Sequence, residues 1–247
     1  MKSITFTDIH FGRNSNDRQA NQDSSDFVDF VIETAKKHNI TQCNFLGDWN
    51  DNRHTLHVST LNYSDANIRK LSENFEKVYF IPGNHDLHYR EKRDLHSIPF
   101  AKSFSNVVLI TDFLTVGDST FCPWILKHEW PQLYKIKTKY VFGHFEFPNF
   151  MMNGKSRMPD HGYVNTDDID QPIYIFSGHY HARQKQKNIW YIGNVFPMSY
   201  SDAWDDDRGV MILDHDTAEV EFVKWENAPL YRTMPYRDWE TDRKSVV

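Results

Sequence analysis

The sequence predicts an α/β domain of mixed sheet content, and three observations predict it. The first third alternates short apolar runs with longer amphipathic segments in the order βαβαβ. From Val107 onward strand-like runs dominate, which argues for mixed rather than purely parallel sheet content. Several runs also share an ending: apolar residues, then Gly, then a metal-capable side chain. No repeat of fixed period and no linker rich in Pro, Gly or Ser interrupts residues 1–235, which therefore read as one domain.

Short apolar runs place strands at 3–7, 42–46, 77–81, 107–110, 120–123, 139–142 and 173–176, then at 188–192, 209–213 and 218–224. A helix is expected over 26–38, where Phe27, Phe30, Val31, Thr34 and Ala35 form one stripe and Ser24 or Ser25 offers a cap. A second is expected within 55–75, with Leu61, Ile68, Leu71 and Phe75 turned inward. The 7 Trp, 12 Tyr and 18 Phe exclude disorder as the dominant state, because they supply ample apolar surface to bury. A net charge of −6 disfavours non-specific attraction to polyanions outside a local basic patch. No apolar run approaches the roughly 20 residues that cross a bilayer. The N-terminus has no apolar export segment, and two cysteines cannot build a disulfide framework; both point to the cytoplasm. Residues 236–247 are charged and aperiodic, and are set apart as a non-native or disordered tail.

The chemistry lies in the arrangement of some of the 13 histidines. Runs end in Gly47-Asp48, Gly83-Asn84, Gly143-His144 and Gly178-His179, and a fifth delivers Asp8 and His10 without the Gly. Glycine lets a chain turn sharply and approach a neighbour closely as it leaves a sheet. Ligand sites of α/β folds lie just beyond such ends. Asp8 and His10, like His179 and His181, are two residues apart and point the same way when extended. Carboxylate, imidazole and amide oxygen without thiolate suit Mn(II), Fe or a mixed pair better than a closed zinc site, with Mg and Zn as further candidates. Seven such ligands would crowd one ion. Around two ions sharing Asp48 they leave room for a hydroxide and a phosphate oxygen. Singly, Gly-Asp is a common turn and His-x-His a common cross-strand pair; the ordered series is what points to a site.

That series, Asp8-Ile9-His10, Gly47-Asp48, Gly83-Asn84-His85-Asp86, Gly143-His144 and Gly178-His179-Tyr180-His181, resembles the calcineurin-like metallophosphoesterase superfamily. The resemblance implies a four-layer α-β-β-α sandwich with two mixed sheets packed together and helices outside. It implies one ion on Asp8, His10, Asp48 and His181, and a second on Asp48, Asn84, His144 and His179. A hydroxide shared by the ions would attack phosphorus, with His85 at the scissile phosphate and Asp86 orienting its imidazole. Asp51-Asn52-Arg53 departs from the Asp-Arg-Gly of the family's protein phosphatases. The segments from Phe6 to Gly12, from Val141 to Phe147 and from Ser177 to Gln184, with the block Tyr191–Asp214, are similar to SbcD-type DNA repair exonucleases, especially those of tailed phages. That similarity implies DNA as substrate, an SbcC-type ATPase as partner and a homodimer, with the helix in 55–75 as part of its interface. A phosphodiesterase or phosphatase of small substrates is the second reading.

Two departures stand out. These nucleases often carry His three positions after the shared Asp, where this chain has Asp51, and His54 or His57 could stand in. Their C-terminal extension, which caps DNA and docks the ATPase, is expected to be missing or truncated here. Arg13, Asp51, Arg53 and Arg90, with Lys92 and Arg93, follow metal-bearing segments and are candidates to contact substrate. The aperiodic stretch 148–170 reads as a substrate-side loop. Asp205-Asp206-Asp207 reads as a solvated turn, and His38, His96, His128 and His215 as surface or core residues.

Overall fold

The computed structural model describes residues 1–152, 156–230 and 232; the tail expected at 236–247 lies outside them. Twelve strands are seen among these residues: β1 Lys2–Phe6, β2 Gln42–Phe45, β3 Lys77–Phe80, β4 Val107–Leu109, β5 Leu114–Val116, β6 Ser119–Phe121, β7 Tyr140–His144, β8 Tyr174–Gly178, β9 Gln184–Gln186, β10 Ile189–Tyr191, β11 Gly209–Asp214 and β12 Val220–Lys224. They form two six-stranded sheets, ordered β12-β11-β1-β2-β3-β4 and β5-β6-β7-β8-β10-β9. In the first, β1 to β4 run parallel while β11 and β12 pair antiparallel. In the second, β6, β7, β8 and β10 run parallel between antiparallel β5 and β9. Strands β5 and β9 fall outside the sequence expectation, because three-residue edges such as Gln184–Gln186 carry no apolar alternation.

Alternation along the strands separates three apolar layers. Ile4, Phe6, Phe45 and Phe80 face the helices together with Phe27, Val31 and Leu71. Tyr79, Met211, Phe121, Phe142 and Phe176 fill the space between the sheets. Val141, Ile175 and Tyr191 pack under Trp130, Phe145, Phe147 and Met158. That outer layer is built of the 3₁₀ turn Trp130–Lys135 and irregular chain, whereas the first sheet carries true α-helices.

The long helix spans Arg18–His38, two turns beyond the expected start, and Asp17 caps it by accepting from Ala20 N at 2.8 Å. Ser24 and Ser25 are buried inside the helix rather than capping it. Ser24 Oγ donates to Ile9 O, and Ser25 Oγ to Asn67 Oδ1. Polar contacts therefore anchor this helix where an apolar stripe is missing. The second helix is Val58–Asn74; Ile68 and Leu71 are buried as expected, but Leu61 is exposed.

Candidate metal centre

The ends of β1, β2 and β3 meet those of β7 and β8 along one edge. Past the sheet, the chains leaving β1 and β2 stay zipped: Asp8 N donates to Gly47 O at 2.8 Å, His10 N to Asp48 O at 3.1 Å and Phe11 N to Trp49 O at 2.8 Å. Asp8, His10, Asp48 and His179 all adopt left-handed backbone, with φ of 53°, 49°, 60° and 88°. For non-glycine residues such conformations cost about 1–3 kcal/mol each and persist where surrounding contacts enforce them. Two of the glycines are required by close approach. A Cβ on Gly83 would strike Asp48 Oδ1, and one on Gly178 would strike Thr7 Oγ1 and the His144 ring.

The expected ligands converge. Asp8, His10 and His181 bring their ligand atoms within 4.8 Å of one another, and so do Asp48, His144 and His179. One carboxylate oxygen serves both groups: Asp48 Oδ2 lies 3.9 Å from His10 Nε2 and 3.4 Å from His144 Nε2. Asn84 Oδ1 lies 3.1 Å from His144 Nε2. Burial alone would raise the Asp48 carboxyl, but His144 outweighs it and holds Asp48 well below the usual range. Burial would likewise lower the His144 imidazole, yet Asp48 pushes it up to about 9. Its Nδ1–H donates to Leu46 O at 2.6 Å, which leaves Nε2 aimed at the centre.

Cations fit this set. His10 Nε2 is buried and has no hydrogen-bond partner among the described residues, although Asp8 Oδ1 and Asp48 Oδ2 each lie 3.9 Å away. A buried imidazole nitrogen facing two carboxylates across such gaps suits an interposed ion. The donors are oxygen and nitrogen throughout, as the residue types implied. The centre therefore has two half-sites with Asp48 between them.

His85 stands beside the first half-site, its ring 5.0 Å from that of His10. Its backbone N donates to Asp48 Oδ1, and its Nδ1–H donates to Asp51 O at 2.6 Å. The expectation that Asp86 orients His85 needs correction. The Asp86 carboxylate is fully buried and accepts from the amides of Trp49, Asn50 and Gly83 at 2.9–3.0 Å. It pins the loops after β2 and β3 together. Burial, then the Asp48 charge, raises its pKa to about 6 against those three amides.

Asp51, expected to meet substrate, instead stands behind a ligand of the metal centre. Its Oδ1 lies 3.3 Å from His10 Nδ1. Burial would raise its carboxyl, but His10 holds it below the ordinary value. Arg13 also departs from its expected role: it is buried, bonded to Ala20 O, Ser24 and Asp23, and stacked 4.5 Å from the Phe196 ring. Arg53 lies with His54 and His88 in a separate groove. Arg93 joins Glu129 through Nη1 and Nη2 and also reaches Thr111 O and Trp124 O, so it ties segments together. Lys92 rests near the Tyr89 ring. His57 caps the second helix through Ser59 N, and His54 packs edge-on against His88. Arg90 does reach the pocket mouth, stacked over Trp124 and paired with Glu146 at 3.4 Å. Of the stretch expected on the substrate side, Pro148, Met158, Pro159 and Tyr163 line the pocket beside His144.

Three supporting residues are invisible in the motif series. Asp202 Oδ2 lies 3.8 Å from His181 Nδ1, and its carboxyl is held at about 2 because His181 outweighs the cost of burial. Arg208, buried to 1% exposure, donates to the His181 carbonyl and pairs with Asp205 at 2.6 Å. Glu146 lies 3.5 Å from His179 Nε2. The block Tyr191–Asp214 contains the first two, but nothing local in it distinguishes Asp202 from Asp205-Asp206-Asp207. Those three carboxylates pair with Arg208, Arg232 and Arg183.

Known proteins supply the context. The profile of the calcineurin-like phosphoesterase family matches residues 1–183. Exonuclease subunit 1 of Enterobacteria phage T4 is 27% identical over 248 residues, covering 96% of this chain and 71% of that protein. Among solved structures, a protein of Thermus thermophilus superposes with a TM-score of 0.56 at 10% identity, covering 90% of this chain and 98% of that one. A dimetal phosphatase from Danio rerio superposes with a TM-score of 0.55 at 10% identity, covering 86% and 91%. These two share the fold. With the profile spanning most of its length and the ligand series assembled in order, the chain belongs to the calcineurin-like phosphoesterase family, metal-dependent hydrolases of ester bonds.

Proposed function

We propose that the protein is a two-metal phosphodiesterase acting on DNA ends, with Mn(II) as its preferred ion. The observation that carries the two-metal reading is Asp48 Oδ2 lying between His10 Nε2 and His144 Nε2. DNA is favoured by the similarity to a phage exonuclease subunit along nearly the whole chain. Two bound ions would supply Lewis-acid stabilisation of the phosphoryl oxygens and an activated water.

The residues of the chain do the rest. Asp8, His10 and His181 would hold one ion; Asn84, His144 and His179 the other; Asp48 both. The bond from His85 Nδ1–H to Asp51 O leaves Nε2 to give a proton to the leaving oxygen. Arg90 at the pocket mouth offers charge to a neighbouring phosphate. An SbcC-type ATPase, a homodimer using helix Val58–Asn74 and a cytoplasmic location complete the reading. No helix among the described residues is long and apolar enough to cross a membrane.

The test uses Mn(II)-loaded protein with end-labelled DNA, bis-p-nitrophenyl phosphate and p-nitrophenyl phosphate. Stepwise shortening of DNA supports the nuclease. Turnover of the small esters with DNA untouched supports the small-substrate reading instead. His85→Asn is expected to retain both ions by elemental analysis and to lower kcat about 10²–10⁴-fold. An unchanged kcat removes His85 from the mechanism.

A further inference from the structure

A pocket of about 340 Å³ opens beside the second half-site, and of the roles above only that of Arg90 touches it, at the mouth. His144 forms part of its wall, so whatever is esterified to a phosphate at the metal centre has a direct path into it. Trp124 stands at the junction, its ring 5.8 Å from that of His144 and 5.5 Å from that of His179. Arg90 covers that ring at 5.4 Å, while the indole N–H donates to Arg90 O at 3.0 Å, which fixes the plane. Deeper in, Ile125, Trp130, Met158 and Val164 make an apolar floor, each less than a tenth exposed. Away from the metals Lys127 sits 4.8 Å over the half-exposed Tyr163 ring, and the Asp160 carboxylate offers an acceptor.

We propose that this pocket binds one unpaired nucleobase with its sugar, belonging to the nucleotide whose phosphate lies at the metals. The proposal rests on the phosphodiesterase reading and names the part of the substrate the enzyme recognises. Flat aromatic walls, an apolar floor and a polar rim are what a single base needs for stacking and edge recognition. The volume falls within the range of small-molecule sites, room for one base with its sugar. A terminal nucleotide would therefore leave its partner before cleavage, with the irregular chain over the second sheet as the wall that receives it.

Binding is the test. The full-length Mn(II)-loaded protein is titrated with 2′-deoxyadenosine monophosphate, as the 5′ and 3′ isomers, and with 2-deoxyribose 5-phosphate, by calorimetry. The tighter nucleotide isomer is expected to bind about tenfold or more better than the abasic sugar phosphate, the contribution of base stacking. Leu126→Trp, which fills the pocket, and Tyr163→Ala, at an exposed position, should each reduce that ratio toward one. Each should lower the affinity for deoxyribose phosphate less than that for the nucleotide. Equal affinities in the unmodified protein overturn the proposal, and so does a ratio that survives both substitutions. Hydrolysis of DNA without base preference would sink only the pocket. Base preference without DNA hydrolysis would sink only the nuclease.

Discussion

The two half-sites share a carboxylate but are backed differently. In the first, the ring nitrogens away from the centre face carboxylates: Asp51 behind His10 at 3.3 Å and Asp202 behind His181 at 3.8 Å. In the second, the corresponding atom of His144 is held by the neutral carbonyl of Leu46 and Asn84 adds a neutral amide oxygen, so that Glu146, 3.5 Å from His179 Nε2, is the single backing carboxylate against two in the first. A carboxylate behind a histidine makes it a stronger donor and adds negative charge near the ion. The first half-site should thus load first and hold tighter. The second should be the exchangeable one, filled against a proton on His144.

The harshest way to break this asymmetry is to remove what the half-sites share. Asp48→Asn is expected to lower kcat/KM about 10³-fold and to reduce bound metal below two equivalents. Two tightly held ions in that variant would show that Asp48 is not the bridge. A gentler cut separates the half-sites. Asp51→Asn and Asp202→Asn should each weaken the tighter ion about 10–100-fold while leaving the weaker one in place. Competitive chelator titration reads both affinities, and a loss confined to the weaker ion would reverse the assignment.

The smallest effect is one of pH. His144, ordinarily titrating at 6.5 but raised to about 9 beside Asp48, carries a proton at neutral pH in metal-free protein. An ion entering there displaces it. The weaker affinity should rise about tenfold per pH unit from 7 to 9 and then level off. Calorimetry in buffers of different ionisation enthalpy would detect the released proton. The sign is opposite for folding of the metal-free chain. The raised imidazole contributes stability that is full below pH 6.5 and lost as pH climbs through about 9.

The ligands were legible in the sequence because each follows a strand end within a few residues, so local order reports spatial order. Parallel pairing brings Asp8, Asp48 and Asn84 together at the end of the first sheet and His144 and His179 at the end of the second, and the packing of the two sheets joins the groups. The supporting residues depend on contacts no local pattern encodes. Asp202 reaches His181 from a turn beyond β10, and Glu146 meets Arg90 only because the chain after β7 passes the one after β3. Asp86 shows how adjacency misleads. One residue from His85, it reads as that ring's partner, but the turn sends its carboxylate into backbone amides. Arg13 misled for a related reason, since a cation three residues beyond a ligand-bearing tripeptide turned out to be buried by Phe196 and the long helix. The start of that helix escaped notice because its buried face is Asn21, Ser24 and Ser25, whose packing is polar.

The anchor at Asp86 has a consequence for how this protein can drift. All three of its strongest donors are main-chain amides, which every amino acid except proline supplies. Exchanging the side chain at Trp49 or Asn50 would leave the clasp fastened. The identity of a single acidic residue thus fastens two loops through their backbone alone.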